Sequence, residues 1–339
     1  MRRYGYLYDK IISMDNLRIA DMNARKGKAK SYGVKQFDKD REGKLFALHH
    51  MLKDKAYKTS KYDIFIIHEP KERVIYRLPY YPDRIVHHAI MNVLEPIWRS
   101  VFTCNTYSCI KGRGIHGCAK RVKEIIRKYD GKEHLYCLKI DIVKYYPNIN
   151  HDVMKAIIRR KIKDEDTLGL LDEIIDSADG LPIGNYISQY LANLYLAYFM
   201  HWVNEGLMID ATEYADDIVF FSDSKDRLRE VFVKIKEKLE GELRLTIKRN
   251  WQIFPIATNR YTNDGRALDY VGYQFFRQQT LVRKSIKKRL CKEAKKAIGK
   301  DVKEKELKMR LSSWLGWTEH CNGRHLLHKI GIYDNIKTL

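Results

Sequence analysis

The run Glu213-Tyr214-Ala215-Asp216-Asp217-Ile218-Val219-Phe220-Phe221 decides the fold, because two adjacent acids interrupt what otherwise has the pattern of a buried β-hairpin. The flanking residues predict a buried β-hairpin with Asp216 and Asp217 at its bend. A polar turn is one interpretation, since Asp is a common turn residue. If the pair is buried, each uncompensated carboxylate costs several kcal/mol, and the two repel each other. A buried pair therefore indicates a bound cation, and Mg²⁺ prefers carboxylate oxygens.

A third acid lies where another strand is predicted to end. From His134 the residues alternate in character, and the run finishes at Asp141. Neighbouring antiparallel strands can bring this carboxylate within a few ångströms of the tandem acids. Two divalent ions about 3.5–4 Å apart can be held by such a set, as phosphoryl-transfer polymerases require. Asp141, Asp216 and Asp217 are therefore the predicted catalytic residues.

The composition indicates a polyanionic partner. The chain has 64 Lys and Arg against 43 Asp and Glu, a formal net charge of +21 over 339 residues. Nucleic acid is the default partner for such an excess, although a merely soluble basic protein is the alternative. The 23 tyrosines suit base stacking beside phosphate contacts. With 45% hydrophobic residues the chain can form real cores.

The cysteines and the apolar segments limit the cellular setting. The six cysteines contain no Cys-x-x-Cys pair and are expected to be reduced cytosolic thiols. A zinc site is conceivable, but the spacing fits no standard pattern for Cys104, Cys109, His116 and Cys118. No run of 18 apolar residues occurs, so neither secretion nor membrane spanning is expected. We expect a cytoplasmic protein.

A glycine-rich segment, Lys111-Gly112-Arg113-Gly114-Ile115-His116-Gly117, contains a formal G-x-G-x-x-G pattern. A dinucleotide-binding fold needs a buried strand directly before that pattern. Residues 104–110 are too polar for such a strand. The sequence instead favours a loop that places basic side chains and a helix N-terminus near phosphates.

Further elements follow from periodicity. Short strands are predicted over 62–67 and 73–77, and helices over 84–102 and 188–203. Residues 283–310 contain thirteen Lys and Arg against four acids, in a helical pattern. That stretch can track a duplex backbone, and a solvated helix face is the alternative.

Several segments resemble motifs of reverse transcriptases. Their first palm motif resembles Asp141-Ile142-Val143-Lys144-Tyr145-Tyr146-Pro147-Asn148-Ile149, and their second resembles Gly180-Leu181-Pro182-Ile183-Gly184-Asn185-Tyr186-Ile187-Ser188-Gln189. Most members have Gln and Pro where this chain has Ile183 and Gln189, and this departure is typical of diversity-generating retroelement enzymes. That subgroup also resembles the chain at Asn250-Trp251-Gln252 and in its short thumb, here Ser312-Ser313-Trp314-Leu315-Gly316-Trp317. The primer-gripping hairpin resembles 268–275.

The resemblance implies an α+β right-hand polymerase with fingers, a palm of antiparallel sheet plus helices, and a short helical thumb. The expected divisions are a basic helical extension over 1–60, fingers over 61–133, palm over 134–277 with a helical insertion near 150–180, and thumb over 278–339. The resemblance to these enzymes implies an RNA-directed DNA polymerase that copies a template RNA into adenine-mutagenised cDNA. Expected cofactors are two Mg²⁺ ions, with Mn²⁺ possible. Expected partners are template RNA, the RNA/cDNA duplex, dNTPs and a basic oligomeric accessory protein.

The resemblance also implies roles for individual residues. The metal ligands would be Asp141, Ile142, Asp216 and Asp217. Contacts to nucleotide or template would come from Arg73, Tyr146, Ile183, Gly184, Ser188, Gln189 and Lys248, with Tyr146 excluding a 2′-hydroxyl. The primer grip would be Tyr270, Val271 and Gly272. Alternatives are a group II intron-like, retron or defence-associated reverse transcriptase without targeted mutagenesis, or a catalytically silent RNA-binding scaffold.

Overall fold

A computed structural model of the chain describes residues 3–68, 72–298 and 304–332. The chain divides into two compact units, each built from three separate stretches. The first unit contains 1–103, 142–202 and 236–247, and the second contains 104–141, 203–235 and 248–339. The order of elements along the sequence is therefore not the order in which they pack. The predicted division into fingers, palm and thumb stays a prediction.

The described residues form thirteen α-helices. In chain order they are α1 Tyr8–Ile12, α2 Met14–Ala24, α3 Tyr32–Asp38, α4 Arg41–Lys53, α5 Ile85–Arg99, α6 Ile115–Lys128, α7 His151–Arg159, α8 Glu165–Ile175, α9 Tyr186–His201, α10 Lys225–Gly241, α11 Lys284–Ile298, α12 Glu304–Glu319 and α13 Arg324–Lys329. None of these is long and apolar enough to cross a membrane.

Nine strands form three antiparallel sheets within the described ranges. The strands are β1 Asp63–Ile67, β2 Arg73–Arg77, β3 Tyr136–Asp141, β4 Asp210–Tyr214, β5 Asp217–Ser222, β6 Gln252–Pro255, β7 Leu268–Tyr270, β8 Tyr273–Phe275 and β9 Thr280–Val282. The sheets are β1-β2, then β4-β5-β3-β6, then β7-β8-β9. We call the four-stranded sheet the central sheet.

The first unit is a helical body that carries the β1-β2 hairpin. Helix α9 is apolar on nearly every side and is buried along most of its length, as expected for a core helix. Helices α7 and α8 begin at side-chain caps, where Asn150 and Asp164 accept backbone N–H bonds from Val153 and Thr167. These caps fix where the two helices leave the loops before them.

The second unit packs α6 and the β7-β8-β9 sheet against the central sheet. Their shared core includes Cys118, Val122, Phe221, Tyr270 and Phe275. A second core, within α11, α12 and α13, centres on aliphatic side chains such as Leu290, Leu311 and Leu327. The predicted basic helical stretch therefore becomes two helices, α11 and α12, with 299–303 outside the described residues.

Two alternative sites lack structural support. Residues 104–110 form no strand before the glycine-rich loop, which the dinucleotide-binding interpretation requires. Cys104 and Cys109 are exposed, whereas Cys118 is buried. No group of three or more His, Cys, Asp or Glu side chains in the described part of the chain is arranged to hold a metal as it stands.

Candidate active site

The central sheet brings the predicted catalytic acids together. Asp141 is the last residue of β3, and Asp217 is the first residue of β5, directly opposite it in the antiparallel register. Tyr214 ends β4 and also pairs with Asp217, so the turn between β4 and β5 consists of Ala215 and Asp216. Ala215 has a φ of 56°, as a tight turn requires. Asp217 thus lies within a strand, and only Asp216 occupies the bend.

The surroundings of Asp216 and Asp217 disfavour the charged forms of these two carboxyl groups. Burial and the neighbouring Asp141 carboxylate raise the pKa of Asp216. Burial raises the pKa of Asp217 to about 6, although the Lys139 ammonium opposes that change. Both effects follow from placing like charges in a poorly solvated pocket. A divalent cation would reverse them, because it stabilises ionised carboxylates.

Two lysines each bind one oxygen of a catalytic carboxylate. Lys248 Nζ lies 2.7 Å from Asp141 Oδ2, and its backbone N–H donates to the Asp141 carbonyl at 2.8 Å. Lys139 Nζ lies 3.3 Å from Asp217 Oδ2. Lys248 therefore contacts a predicted metal ligand, and its contact to nucleotide stays a prediction.

The other oxygen of each carboxylate fits a metal ligand. Asp141 Oδ1 and Asp217 Oδ1 are buried and accept no hydrogen bond. Buried acceptors without partners are rare in proteins and call for an explanation such as an ion. The atoms available to a metal are hard carboxylate oxygens, which suit Mg²⁺ or Mn²⁺. Lys139 and Lys248 hold the remaining oxygen of each carboxylate. The set of metal ligands is therefore incomplete in this arrangement of the side chains, although the oxygens that it offers suit such an ion.

The predicted primer-grip hairpin is hydrogen-bonded to one of the catalytic acids. Tyr270 is fully buried, and its hydroxyl donates to the Asp217 carbonyl at 2.9 Å. Val271 and Gly272 form the turn, with φ values of 41° and 84°. A Cβ on Gly272 would lie 2.3 Å from Trp317, so only glycine fits there. The Tyr270 side chain is thus bonded to the central sheet, and the primer-grip role of this hairpin stays a prediction.

The first unit contains the predicted nucleotide-contacting residues except Lys248, which belongs to the second unit. Tyr146 begins a single 3₁₀ turn, and its carbonyl accepts the Leu181 N–H at 2.8 Å. The Ile183 carbonyl accepts the Tyr76 N–H at 2.8 Å, which extends the β1-β2 hairpin by one bond. The loop over 180–184 is therefore held between the Tyr146 turn and β2.

Glycines make this close approach possible. Gly180 has a φ of 62°, and a Cβ there would lie 2.4 Å from the Pro147 carbonyl oxygen. Gly184 has a φ of 118°, and a Cβ there would lie 2.9 Å from the Tyr76 carbonyl oxygen. A side chain at either position would push the loop away from its partner.

The remaining predicted residues vary in exposure. Ser188 is buried in the first turn of α9, whereas Gln189 is exposed. Arg73 is exposed at the start of β2, next to residues 69–71, which lie outside the described residues. Ile142 is fully buried and pairs with Ile247, so a backbone carbonyl is all that it can offer a metal.

Sequence reasoning missed two residues of the central sheet. Lys139 precedes Asp141 by two positions, and strand periodicity alone places both on one face. Glu213 is fully buried, and Thr106 Oγ1 donates to it at 3.0 Å. Burial raises the pKa of Glu213 to about 8. The backbone of Glu213 bonds to Asn105 and Tyr107 and ties 105–107 to β4.

Comparison with known protein families gives a consistent result. The family described as reverse transcriptase (RNA-dependent DNA polymerase) matches residues 61–262. Protein YkfC of Escherichia coli (strain K12) is 25% identical over 199 residues, which cover 55% of this chain and 48% of that protein. The group II intron-encoded protein LtrA of Lactococcus lactis is 24% identical over 187 residues, covering 52% and 30%. The chain thus spans less than half the length of these relatives.

Solved structures agree on the fold. Telomerase from Candida tropicalis, in complex with a fragment of telomeric RNA, aligns with a TM-score of 0.52 at 12% identity, covering 80% of this chain and 55% of that one. The apo form of that enzyme aligns with a TM-score of 0.51 at 11% identity, covering 83% and 60%. With the family match, these structures confirm the predicted fold class, an α+β right-hand polymerase.

Proposed function

Because the chain belongs to the reverse transcriptase (RNA-dependent DNA polymerase) family, we propose that it synthesises DNA on an RNA template. The observation that supports this most is that two buried carboxylate oxygens, Asp141 Oδ1 and Asp217 Oδ1, accept no hydrogen bond. The two residues are directly paired on neighbouring strands. Their predicted neighbour Asp216 lies in the adjoining turn. A silent RNA-binding scaffold has no reason to keep this costly arrangement.

The proposed ligands of two Mg²⁺ ions, or Mn²⁺, are the three carboxylates and the Ile142 carbonyl. When bound, such ions activate the primer 3′-hydroxyl and neutralise the triphosphate. The protein contributes position and charge and forms no covalent bond to the nucleotide. Lys248, now on Asp141, and the exposed Arg73 are the cations that we assign to the triphosphate.

Selection of deoxynucleotides is assigned to Tyr146. A planar ring on the 3₁₀ turn would fill the space that a 2′-hydroxyl needs. Tyr146 is half-buried and contacts Tyr145 edge-to-face at 5.7 Å between ring centroids. Because the Tyr145 hydroxyl donates to the Ala192 carbonyl at 2.6 Å, the pair is anchored to α9. A ring held in this way can exclude a substituent by shape.

We further propose the finer activity of a diversity-generating retroelement enzyme, which writes mutations at template adenines. Ile183 and Gln189, which replace the usual Gln and Pro, and the Asn250-Trp251-Gln252 run favour it. An apolar Ile183 offers no side-chain hydrogen bond, and shape alone discriminates by only about 1–3 kcal/mol. The expected partners are a structured template RNA and a basic oligomeric accessory protein. A group II intron-type enzyme without targeted mutagenesis is the second candidate, which the similarity to LtrA favours.

Primer extension followed by cDNA sequencing tests both levels. The wild type should extend a DNA primer on RNA with dNTPs, and it should misincorporate mainly opposite adenine. Ile183→Asn and Arg73→Ala should change errors opposite adenine more than errors opposite other bases. Extension with uniform, low error rates would support the group II-type candidate, and absence of RNA-templated extension would refute the polymerase assignment.

A further inference from the structure

Lys139 makes three contacts that no role described so far uses. Its Nζ lies 3.3 Å from Asp217 Oδ2 and 2.9 Å from the Asp269 carbonyl oxygen. It also lies 5.7 Å from the centroid of the Tyr270 ring. One ammonium therefore joins a proposed metal ligand on the central sheet to the β7 strand of the primer-grip hairpin.

A second bond joins the same two elements. The Tyr270 hydroxyl donates to the Asp217 carbonyl oxygen at 2.9 Å. Asp217 is thus held through its side chain by Lys139 and through its backbone by Tyr270. Because only Oδ2 meets Lys139, Oδ1 remains as the oxygen without a partner. The contact selects which oxygen of Asp217 is left for a cation.

The hairpin is in turn bonded to the start of the basic helix α11. Arg283 Nε lies 2.6 Å from Asp269 Oδ1, and the Arg283 N–H donates to the Gly272 carbonyl at 3.0 Å. Arg283 directly precedes α11, which begins at Lys284. A continuous set of polar contacts therefore runs from α11 through Asp269 and Lys139 to Asp217.

We infer that Lys139 is a positioning residue for the polymerase reaction: it orients Asp217 toward the metal and makes that orientation depend on the hairpin. The inference rests on the proposed role of Asp217 as a metal ligand. The competing interpretation is that Lys139 only neutralises charge. The two differ in sign, since removing a mere counter-charge tightens cation binding, whereas removing an orienting contact weakens it.

The test measures metal binding and turnover on the full chain. Mn²⁺ binding is followed by electron paramagnetic resonance without nucleic acid, and single-nucleotide extension is measured with saturating primer and template. Lys139→Met should weaken Mn²⁺ binding and lower kcat by about 10- to 100-fold each, as losses of groups that orient metal ligands do. The KM for dNTP should stay unchanged. Lys139→Arg should recover part of both losses, because it keeps a charged donor.

The matched control is Lys128→Met. Lys128 pairs with Asp210 at 2.6 Å in the same unit and contacts none of the catalytic acids, so this change should leave both readouts at wild-type values. Thermal unfolding reports whether each variant folds. If Lys139→Met does not fold, Lys139→Gln is held to the same criteria.

Wild-type or tighter Mn²⁺ binding with unchanged kcat in Lys139→Met would overturn the inference. Asp217→Asn separates this failure from failure of the proposed function. If Asp217→Asn is inactive while Lys139→Met is normal, only the role of Lys139 is wrong. If Asp217→Asn retains full activity, the proposed metal site itself is wrong.

Discussion

Replacing Asp217 by Asn should stabilise the metal-free protein at neutral pH while it removes activity. Burial raises the pKa of Asp217 from 3.8 to about 6. At about 1.4 kcal/mol per pH unit, that difference means that the ionised carboxylate costs about 3 kcal/mol. Because its side chain is 33% exposed, screening by water reduces the expected cost to about 1–2 kcal/mol.

The pH dependence follows from the direction of the pKa change. A folded-state pKa above the unfolded value means that the cost is absent below about 3.8 and complete above about 6. The advantage of Asp217→Asn should therefore be full at pH 7.5 and roughly half as large at pH 5. It should disappear where the wild-type carboxyl is protonated in both states.

Urea unfolding of both proteins in chelator, at pH 7.5 and pH 5, measures the difference. Mg²⁺ should then stabilise the wild type more than the variant, since only the wild type has the full ligand set. Asp223→Asn is the control, because the Lys132 contact lowers the pKa of Asp223 and its loss should act in the opposite direction. A metal-free Asp217→Asn protein that is less stable than wild type at pH 7.5 would refute the electrostatic reasoning.

Three further predictions concern selectivity, the loop over 180–184 and charge. Tyr146→Ala should admit ribonucleotides, with the preference for dNTP over NTP falling about tenfold or more in competitive extension; an unchanged preference would remove Tyr146 from the role of gate. Gly184→Ala should destabilise the protein by about 1–3 kcal/mol in thermal unfolding, because its φ is 118° and its Cβ would lie 2.9 Å from the Tyr76 carbonyl oxygen. Gly169→Ala in α8, where a Cβ meets nothing within 4 Å, should instead stabilise by about 0.5–1 kcal/mol, and equal effects would contradict the packing argument. RNA affinity should fall steeply with salt concentration, as expected for a chain of net charge +21 that displaces counterions; a flat titration would contradict this.

Strand periodicity predicted which two strands of the central sheet lie side by side, but not the register of their pairing. Alternation up to Asp141 and the apolar run after Asp217 were enough to place two strands side by side. The register was not predictable, because it depends on the two-residue turn at Ala215-Asp216. For that reason both tandem acids were predicted at the bend, whereas Asp217 is the first strand residue.

Long-range contacts explain what the sequence concealed. Lys139 and Lys248 are ordinary basic residues until the fold places each on a catalytic carboxylate. The hydroxyl of Tyr270, a predicted primer-grip residue, also binds the backbone of Asp217. Each of the two compact units combines three stretches that are far apart in the sequence.

The most direct test of the central claim is RNA-templated primer extension in Mg²⁺ by Asp216→Asn, beside the wild type and the exposed control Asp223→Asn. Loss of one of three metal-binding carboxylates should abolish extension while the variant still folds and binds RNA, and Asp223→Asn should extend normally. Extension by Asp216→Asn at the wild-type rate would contradict the proposal that these three acids hold the catalytic metals.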